Sequence, residues 1–72
     1  MKTKTKRPQP TIGERIRAAR LAAGLTQEQL EAASGVSQPT ISSLETSDVQ
    51  PTVRTLVRLA AALGCEVGEL IG

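Results

Sequence analysis

The stretch GVSQPTISSLE, Gly35 to Glu45, gathers small hydrogen-bonding side chains: Ser37, Gln38, Thr40, Ser42 and Ser43 supply four hydroxyls and one amide, with Pro39 among them. A hydroxyl donates one proton and accepts into two lone pairs, and a glutamine amide sets two donors beside an acceptor. Lys, Glu and Ala are better exposed helix residues. Helix stability alone therefore does not account for this composition. The chemistry on offer is hydrogen bonding to another molecule.

Covalent and metal chemistry lack their usual parts. The chain has no His, so there is no imidazole base and no zinc ligand set, and its single cysteine, Cys65, cannot form an internal disulfide. No nucleophile has a recognisable partner and no Gly-rich phosphate loop is present. An enzyme is not expected, nor is a cofactor or metal, and Cys65 is expected to be a small buried apolar filler.

At 72 residues the chain holds one domain, near the lower limit of what folds alone. Phe, Tyr and Trp are absent, so Leu, Ile, Val and Ala must build a modest core, to which a second copy of the chain could add stability. The net charge of +2 is unevenly distributed. Four of the nine basic residues, Lys2, Lys4, Lys6 and Arg7, lie in the first seven positions, and the other five face seven acidic groups. Residues 1–10, MKTKTKRPQP, therefore read as a disordered basic arm, suited to an anionic partner or serving as a solubilising tail, and residues 11–72 as the folded domain. No run approaches the ~18 apolar residues of a membrane span, so a soluble, cytoplasmic protein is expected.

Five short helices must position these groups, and no strand-like alternation is present. Thr11 and Glu14 form a T-x-x-E capping box that opens a first helix, with Ile12, Ile16, Ala19 and Ala23 on one face and Gly24 as its stop. Thr26 and Gln29 open a second helix from Gln27 to Ser34, with Leu30 inward and Gly35 ending it. Ser37 caps the third, where Pro39 is tolerated in the first turn, Val36 can staple onto Ile41, and Ile41 and Leu44 form the one apolar stripe. Thr52 caps a fourth helix carrying Val53, Leu56, Val57, Ala60 and Leu63 inward, and Val67 to Ile71 form a last turn. The expected fold class is all-α, a compact five-helix bundle.

The second and third helices, joined by a short turn with Gly35, describe a helix-turn-helix, although generic helical hairpins share that description. The wider pattern is more specific. Arg20, then GLTQ from Gly24, Leu30, GVS from Gly35, ISSLE from Ile41, and PTVRTLVRLAAALG from Pro51 resemble the Cro/repressor-type (Xre-like) helix-turn-helix family, and the likeness runs from about Ile12 to Ile71. In that family the third helix lies in the major groove of DNA, and the resemblance implies the same placement for this one.

The resemblance also implies roles for individual residues. Ser37, Gln38, Pro39, Thr40, Ser42 and Ser43 fall on the DNA side: Gln38 suits a bidentate contact to adenine, the hydroxyls suit bases or phosphates, and the Pro39 ring or Thr40 methyl suits a thymine methyl. Gln27 at the start of the second helix would hold a phosphate. Arg20 and Glu45 would pair and orient the third helix. Val67, Leu70 and Ile71 would meet a second copy. Apart from the resemblance, the charge of the arm leads to the expectation that Lys2, Lys4, Lys6 and Arg7 contact the DNA backbone or the adjacent minor groove. Arg15 and Arg17 read as solvated, while Arg54 and Arg58 could reach DNA or balance the acidic body.

The implied function is a sequence-specific DNA-binding transcriptional regulator, a repressor, that binds a palindromic operator as a homodimer. Variants of this reading are the antitoxin of a toxin-antitoxin pair, with a cognate toxin as second partner, and a restriction-modification controller. Three positions depart from the family pattern: Glu31 where a small residue is usual, Asp48 where a base is common, and Ser47 in place of a glycine. Glu31 must snorkel, find a cation or spread the second and third helices. With Asp48 and the acidic body, it also supports a different reading, a protein-interaction module that kept the fold without binding DNA.

Overall fold

Each helix begins where a side chain can take up a free backbone N–H. The structure, a computed structural model, describes residues 10–47 and 49–72. Five helices follow in order: α1 (Ile12–Ala22), α2 (Gln27–Ser34), α3 (Gln38–Thr46), α4 (Val53–Leu63) and α5 (Val67–Ile71). Thr11 and Thr26 each form a reciprocal capping box, with Glu14 and Gln29 respectively. Ser37 and Thr52 cap α3 and α4 by accepting the N–H of Thr40 and Thr55. Gly24, Gly35 and Gly64 follow α1, α2 and α4 with φ of 75°, 80° and 73°, a left-handed conformation that residues with a Cβ rarely adopt.

The core is aliphatic. Ile16, Leu30, Val36, Ile41, Leu44, Leu56, Leu59, Ala60 and Leu70 are buried together, with Ile12, Ala19, Leu25, Ala62, Leu63, Cys65 and Val67 packed against them. A fully buried side chain of this kind contributes roughly 1.5–3 kcal/mol relative to exposure. Helix α1 packs on α3 and α5, α2 on α3 and α4, and α4 on α5. Val36 and Ile41, the residues on either side of the Ser37 cap, are both buried, which fixes how the chain enters α3.

Four expectations need correction. Val53 and Val57 do not face inward: they are 73% and 50% exposed, and the inward residues of α4 are Leu56, Leu59 and Ala60. Ala23 is the exposed C-cap of α1 rather than part of its inner face. Cys65 is only half-buried, and burial, with Glu69 and Glu66 nearby, pushes its thiol above the ordinary value. Arg15 is not simply solvated. Its guanidinium lies so close to Gly72 that a Cβ there would fall 2.6 Å from Cζ, and its Nε is buried with no hydrogen-bond partner among the described residues.

Glu31 is exposed, so its carboxylate snorkels to solvent and does not separate α2 from α3. Ser47 closes α3 in an extended conformation, its N–H and hydroxyl both donating to the Ser43 carbonyl, so the helix runs through Thr46 without a glycine stop. Asp48 and the arm residues Lys2, Lys4, Lys6 and Arg7 lie outside the described residues. Among the described residues no helix is long and apolar enough to cross a membrane.

Candidate nucleic-acid interface

Two contacts set the attitude of α3. The first is steric. Gly13, in the first turn of α1, lies against the α3 backbone, where an added Cβ would sit 1.8 Å from the Leu44 carbonyl oxygen and 2.9 Å from its carbon. Only a residue without a side chain fits. Glycine is a poor helix former, so its use inside α1 was the available signal of a close approach, and sequence reasoning passed over it.

The second contact is polar. Arg20 Nε donates to Glu45 Oε2 at 2.7 Å and Arg20 NH2 to Glu45 Oε1 at 2.9 Å, a two-pronged pair with side chains only 10% and 1% exposed. Arg20 NH1 also donates to the Leu25 carbonyl at 2.9 Å, tying the end of α1 to the turn before α2. Burial alone would raise the Glu45 carboxyl, but hydrogen bonds from Arg20 and Gln27, with the charges of Arg20 and Arg17, hold it below its ordinary value. The hydrogen bond to Glu45 outweighs desolvation at Arg20 and raises its pKa. Helices α1, α2 and α3 are thus joined by one buried network.

With Ile41, Leu44 and Glu45 turned inward, the rest of α3 faces out, and its polar groups divide into two sets. Ser37 Oγ donates to Thr40 Oγ1 at 2.8 Å, Thr46 Oγ1 donates to the Ser42 carbonyl at 2.8 Å, and Ser47 donates to the Ser43 carbonyl. The side chains of Gln38, Ser42 and Ser43 have no hydrogen-bond partner within the described residues. Ser43 and Pro39 are exposed, and Gln38 and Ser42 are half-exposed. Ser37 is engaged as the helix cap, so its part is to set the start of α3.

Gln27 does not simply extend to solvent. Its amide Nε2 donates to Glu45 Oε1 at 3.1 Å, which leaves one amide proton free. A surface groove lies between the end of α1 and the starts of α2 and α3, lined by Leu21, Leu25, Thr26, Gln27, Glu28 and Gln38 among others. Among the described residues the first-turn N–H groups of Gln27 and Glu28 have no backbone acceptor, as expected at a helix start. The groove combines free N–H donors with the positive end of the α2 dipole, opposed by the Glu28 carboxylate at its rim.

A helix-turn-helix family model matches residues 16–70, which spans α2, the turn at Gly35 and α3. The chain belongs to the helix-turn-helix regulators of the Cro/repressor type. An uncharacterized HTH-type transcriptional regulator of Sinorhizobium fredii, y4dJ, is 48% identical over 60 residues, covering 83% of this chain and 78% of that one. The P22 c2 repressor, in a crystal structure with a synthetic operator, superimposes with a TM-score of 0.79 at 36% identity, over 88% of this chain and 96% of that one. The restriction-modification controller protein C.AhdI of Aeromonas hydrophila gives a TM-score of 0.78 at 33% identity, over 83% and 91% of the two chains. Cro/repressor-type proteins are DNA-binding regulators rather than enzymes, and no group of His, Cys, Asp or Glu among the described residues could hold a metal ion.

Of the residues assigned to a dimer contact, Leu70 is taken by the core at 1% exposure and is not available at the surface. Ile71 is 52% exposed and Val67 half-buried. Among the described residues the large apolar side chains left uncovered are Leu21, Val49, Val53, Val57 and Ile71. All but Leu21 lie on α4, on α5 or in the loop before α4.

Proposed function

We propose that this chain represses transcription by binding a roughly palindromic operator as a homodimer, with α3 in the major groove and half-sites about one helical turn apart. The observation that carries the reading is the division of polar groups on α3. A helix oriented by the Arg20–Glu45 pair and the Gly13 contact presents Gln38, Ser42 and Ser43 with their hydrogen-bonding capacity unspent. In such a pose Gln38 addresses an adenine edge, Ser42 and Ser43 address bases or phosphates, and the Pro39 ring meets a thymine methyl. Gln27 uses its free amide proton, with the α2 N-terminus, on a phosphate at the groove.

The second copy docks on the uncovered valines. Val53 and Val57 are four residues apart on one side of α4, and Val49 and Ile71 lie on the neighbouring segments, an apolar set that water does not favour leaving exposed. This moves the dimer contact from Leu70 to the outer side of α4. The basic arm, Lys2, Lys4, Lys6 and Arg7, supplies electrostatic affinity that the slightly acidic body lacks. A repressor is favoured by the likeness to the P22 c2 repressor chain seen with a synthetic operator, 96% of which is covered, although the likeness to a restriction-modification controller is equally close and leaves that biological setting as the second reading. Glu31, turned to solvent, gives little support to an interaction module that has lost DNA binding.

Selection from a random duplex pool, followed by gel shifts at low and physiological salt, tests the proposal. The expected product is a pair of inverted half-sites with centres about 10 base pairs apart. Absence of sequence-selective retention at both salts would reject it.

A further inference from the structure

Gly13, Arg17 and Arg20 follow one another at steps of four and three along α1, so they lie on one side of that helix. The outer two meet α3. A Cβ on Gly13 would strike the Leu44 carbonyl and come within 3.3 Å of Glu45 Cα, and Arg20 pairs with the Glu45 carboxylate. Arg17, between them, is exposed and emerges along the seam of α1 and α3. Its charge reaches the buried Glu45 carboxylate and helps to hold that group below its ordinary value. One turn further on, Leu21 lines the groove that Gln27 and Gln38 share, so this edge of α1 opens toward the side of α3 that they occupy.

The two arginines of the stripe are used differently. Arg20 gives Nε and NH2 to Glu45 and NH1 to the Leu25 carbonyl, with its side chain 10% exposed. Among the described residues Arg17 makes no ion pair and no hydrogen bond. Glu14, three residues before it, turns back to accept the Thr11 N–H at 2.9 Å. Helix α3 has no basic residue, and its one charge, Glu45, is buried. Of the other arginines, Arg15 lies against Gly72, Arg58 beside Gly35, and Arg54 on α4. The cation set at the Glu45 edge of α3 and left unspent is therefore Arg17.

We infer that Arg17 is a DNA-backbone contact: with α3 in the major groove, its guanidinium binds a phosphate on the groove wall that Gln27 faces. Gln27 reaches the same Glu45 carboxylate from α2, at 3.1 Å, so the two residues flank one edge of the reading helix. A guanidinium offers a phosphate two parallel N–H donors as well as charge. Such a contact fixes the register of α3 on the duplex and adds affinity without reading sequence. It also supplies positive charge at a helix that has none of its own. The inference rests on the operator-binding reading above.

The test titrates the whole chain, Arg17→Gln and Arg17→Lys against the selected operator and an unrelated duplex over a range of salt. Arg17→Gln should lower the slope of log K against log salt by about 0.9, so that the advantage of the wild type shrinks about 3-fold between roughly 50 and 200 mM salt. The loss should be the same factor on both duplexes, with the selected bases unchanged. Arg17→Lys, which keeps the charge, should restore the slope. A wild-type chain that selects no sequence would remove the operator reading and this inference with it. Selective binding whose salt slope is the same in wild type and Arg17→Gln would overturn the inference alone, and a lowered urea midpoint with that unchanged slope would assign Arg17 to the support of Glu45 instead. A change in the selected bases would likewise overturn the assignment to the backbone.

Discussion

Replacing Glu45 with Gln keeps the shape of the side chain and removes its charge, which isolates what the buried pair contributes. Arg20 would keep its bond to the Leu25 carbonyl and one bond to the new amide oxygen, yet its guanidinium, 10% exposed, would have lost its counter-charge. Breaking one side of a buried pair costs about 3–5 kcal/mol, and the surviving bonds place Glu45→Gln near the lower figure. A domain of this size has a total stability of roughly 4–11 kcal/mol, so the loss is a large fraction of it. Urea unfolding followed by far-ultraviolet circular dichroism is the suitable assay, since the chain has no aromatic residue to fluoresce. The pH dependence gives a second signature. Because the folded state holds the Glu45 carboxyl below its unfolded value, the unfolded chain binds more protons between the two, and stability rises with pH across that window. The contribution is therefore complete above an ordinary carboxylate value of about 4.3 and lost as pH falls through the folded value. The gap between wild type and Glu45→Gln should narrow on acidification, and Arg20→Met with Glu45→Leu should recover much of the loss at neutral pH. A cost below about 1 kcal/mol at pH 7, or a gap indifferent to acid, would refute the assignment of α3's orientation to this pair.

Gly13→Ala should lower the thermal midpoint by roughly 10 °C or more, because the clash is with the Leu44 backbone and no rotamer relieves it. Gly68→Ala, with open space around its position in α5, should instead raise stability by about 0.5–1 kcal/mol, so the two melting curves should move in opposite directions. Gln38→Ala should relax preference at one base pair of each half-site by about 1–3 kcal/mol in competition binding while leaving the unfolding curve unchanged. Deleting residues 1–9 should flatten the dependence of log K on log salt by close to one unit for each phosphate contact the arm makes. Val57→Asp should weaken self-association in sedimentation equilibrium with a change in monomer stability of no more than about 0.5 kcal/mol, whereas Leu70→Asp should unfold the domain.

The helices were legible because their ends are decided locally. Thr11 with Glu14, Thr26 with Gln29, Ser37 with Val36, and the glycines at 24, 35 and 64 fix the boundaries within a few residues of themselves, and the structure places the helices between them. What each helix turns toward its neighbours is a different kind of information. Helix α4 carries Val53, Leu56, Val57, Leu59, Ala60 and Leu63, an apolar face wider than its neighbours cover. Periodicity marks all of these as apolar, but only the packing of α2 and α5 decides that Leu56, Leu59 and Ala60 go inside while Val53 and Val57 remain outside. The Gly13 contact is non-local in the same way, since it depends on how closely α3 crosses α1.

The recognition surface shows the limit most clearly, because it is what remains after the fold has taken the hydrogen bonds it needs. From composition alone, the hydroxyls of GVSQPTISSLE and of the residues after it are interchangeable. In the folded chain Ser37 and Thr40 bond to each other, and Thr46 and Ser47 return to the carbonyls of Ser42 and Ser43, leaving the side chains of Ser42 and Ser43 with Gln38. The rise of about 1.5 Å per residue puts these three within roughly 6–8 Å along the axis of α3. Base pairs stack about 3.4 Å apart, so direct readout by this set extends over no more than about three base pairs of each half-site. If the chain binds as the proposed homodimer, a longer operator preference must come from the shape and deformability of the DNA between the half-sites and from the second copy. Substitutions at Gln38, Ser42 and Ser43 should therefore change a short block of the operator, while changes to the proposed dimer surface on α4 should alter the spacing requirement and leave that block intact.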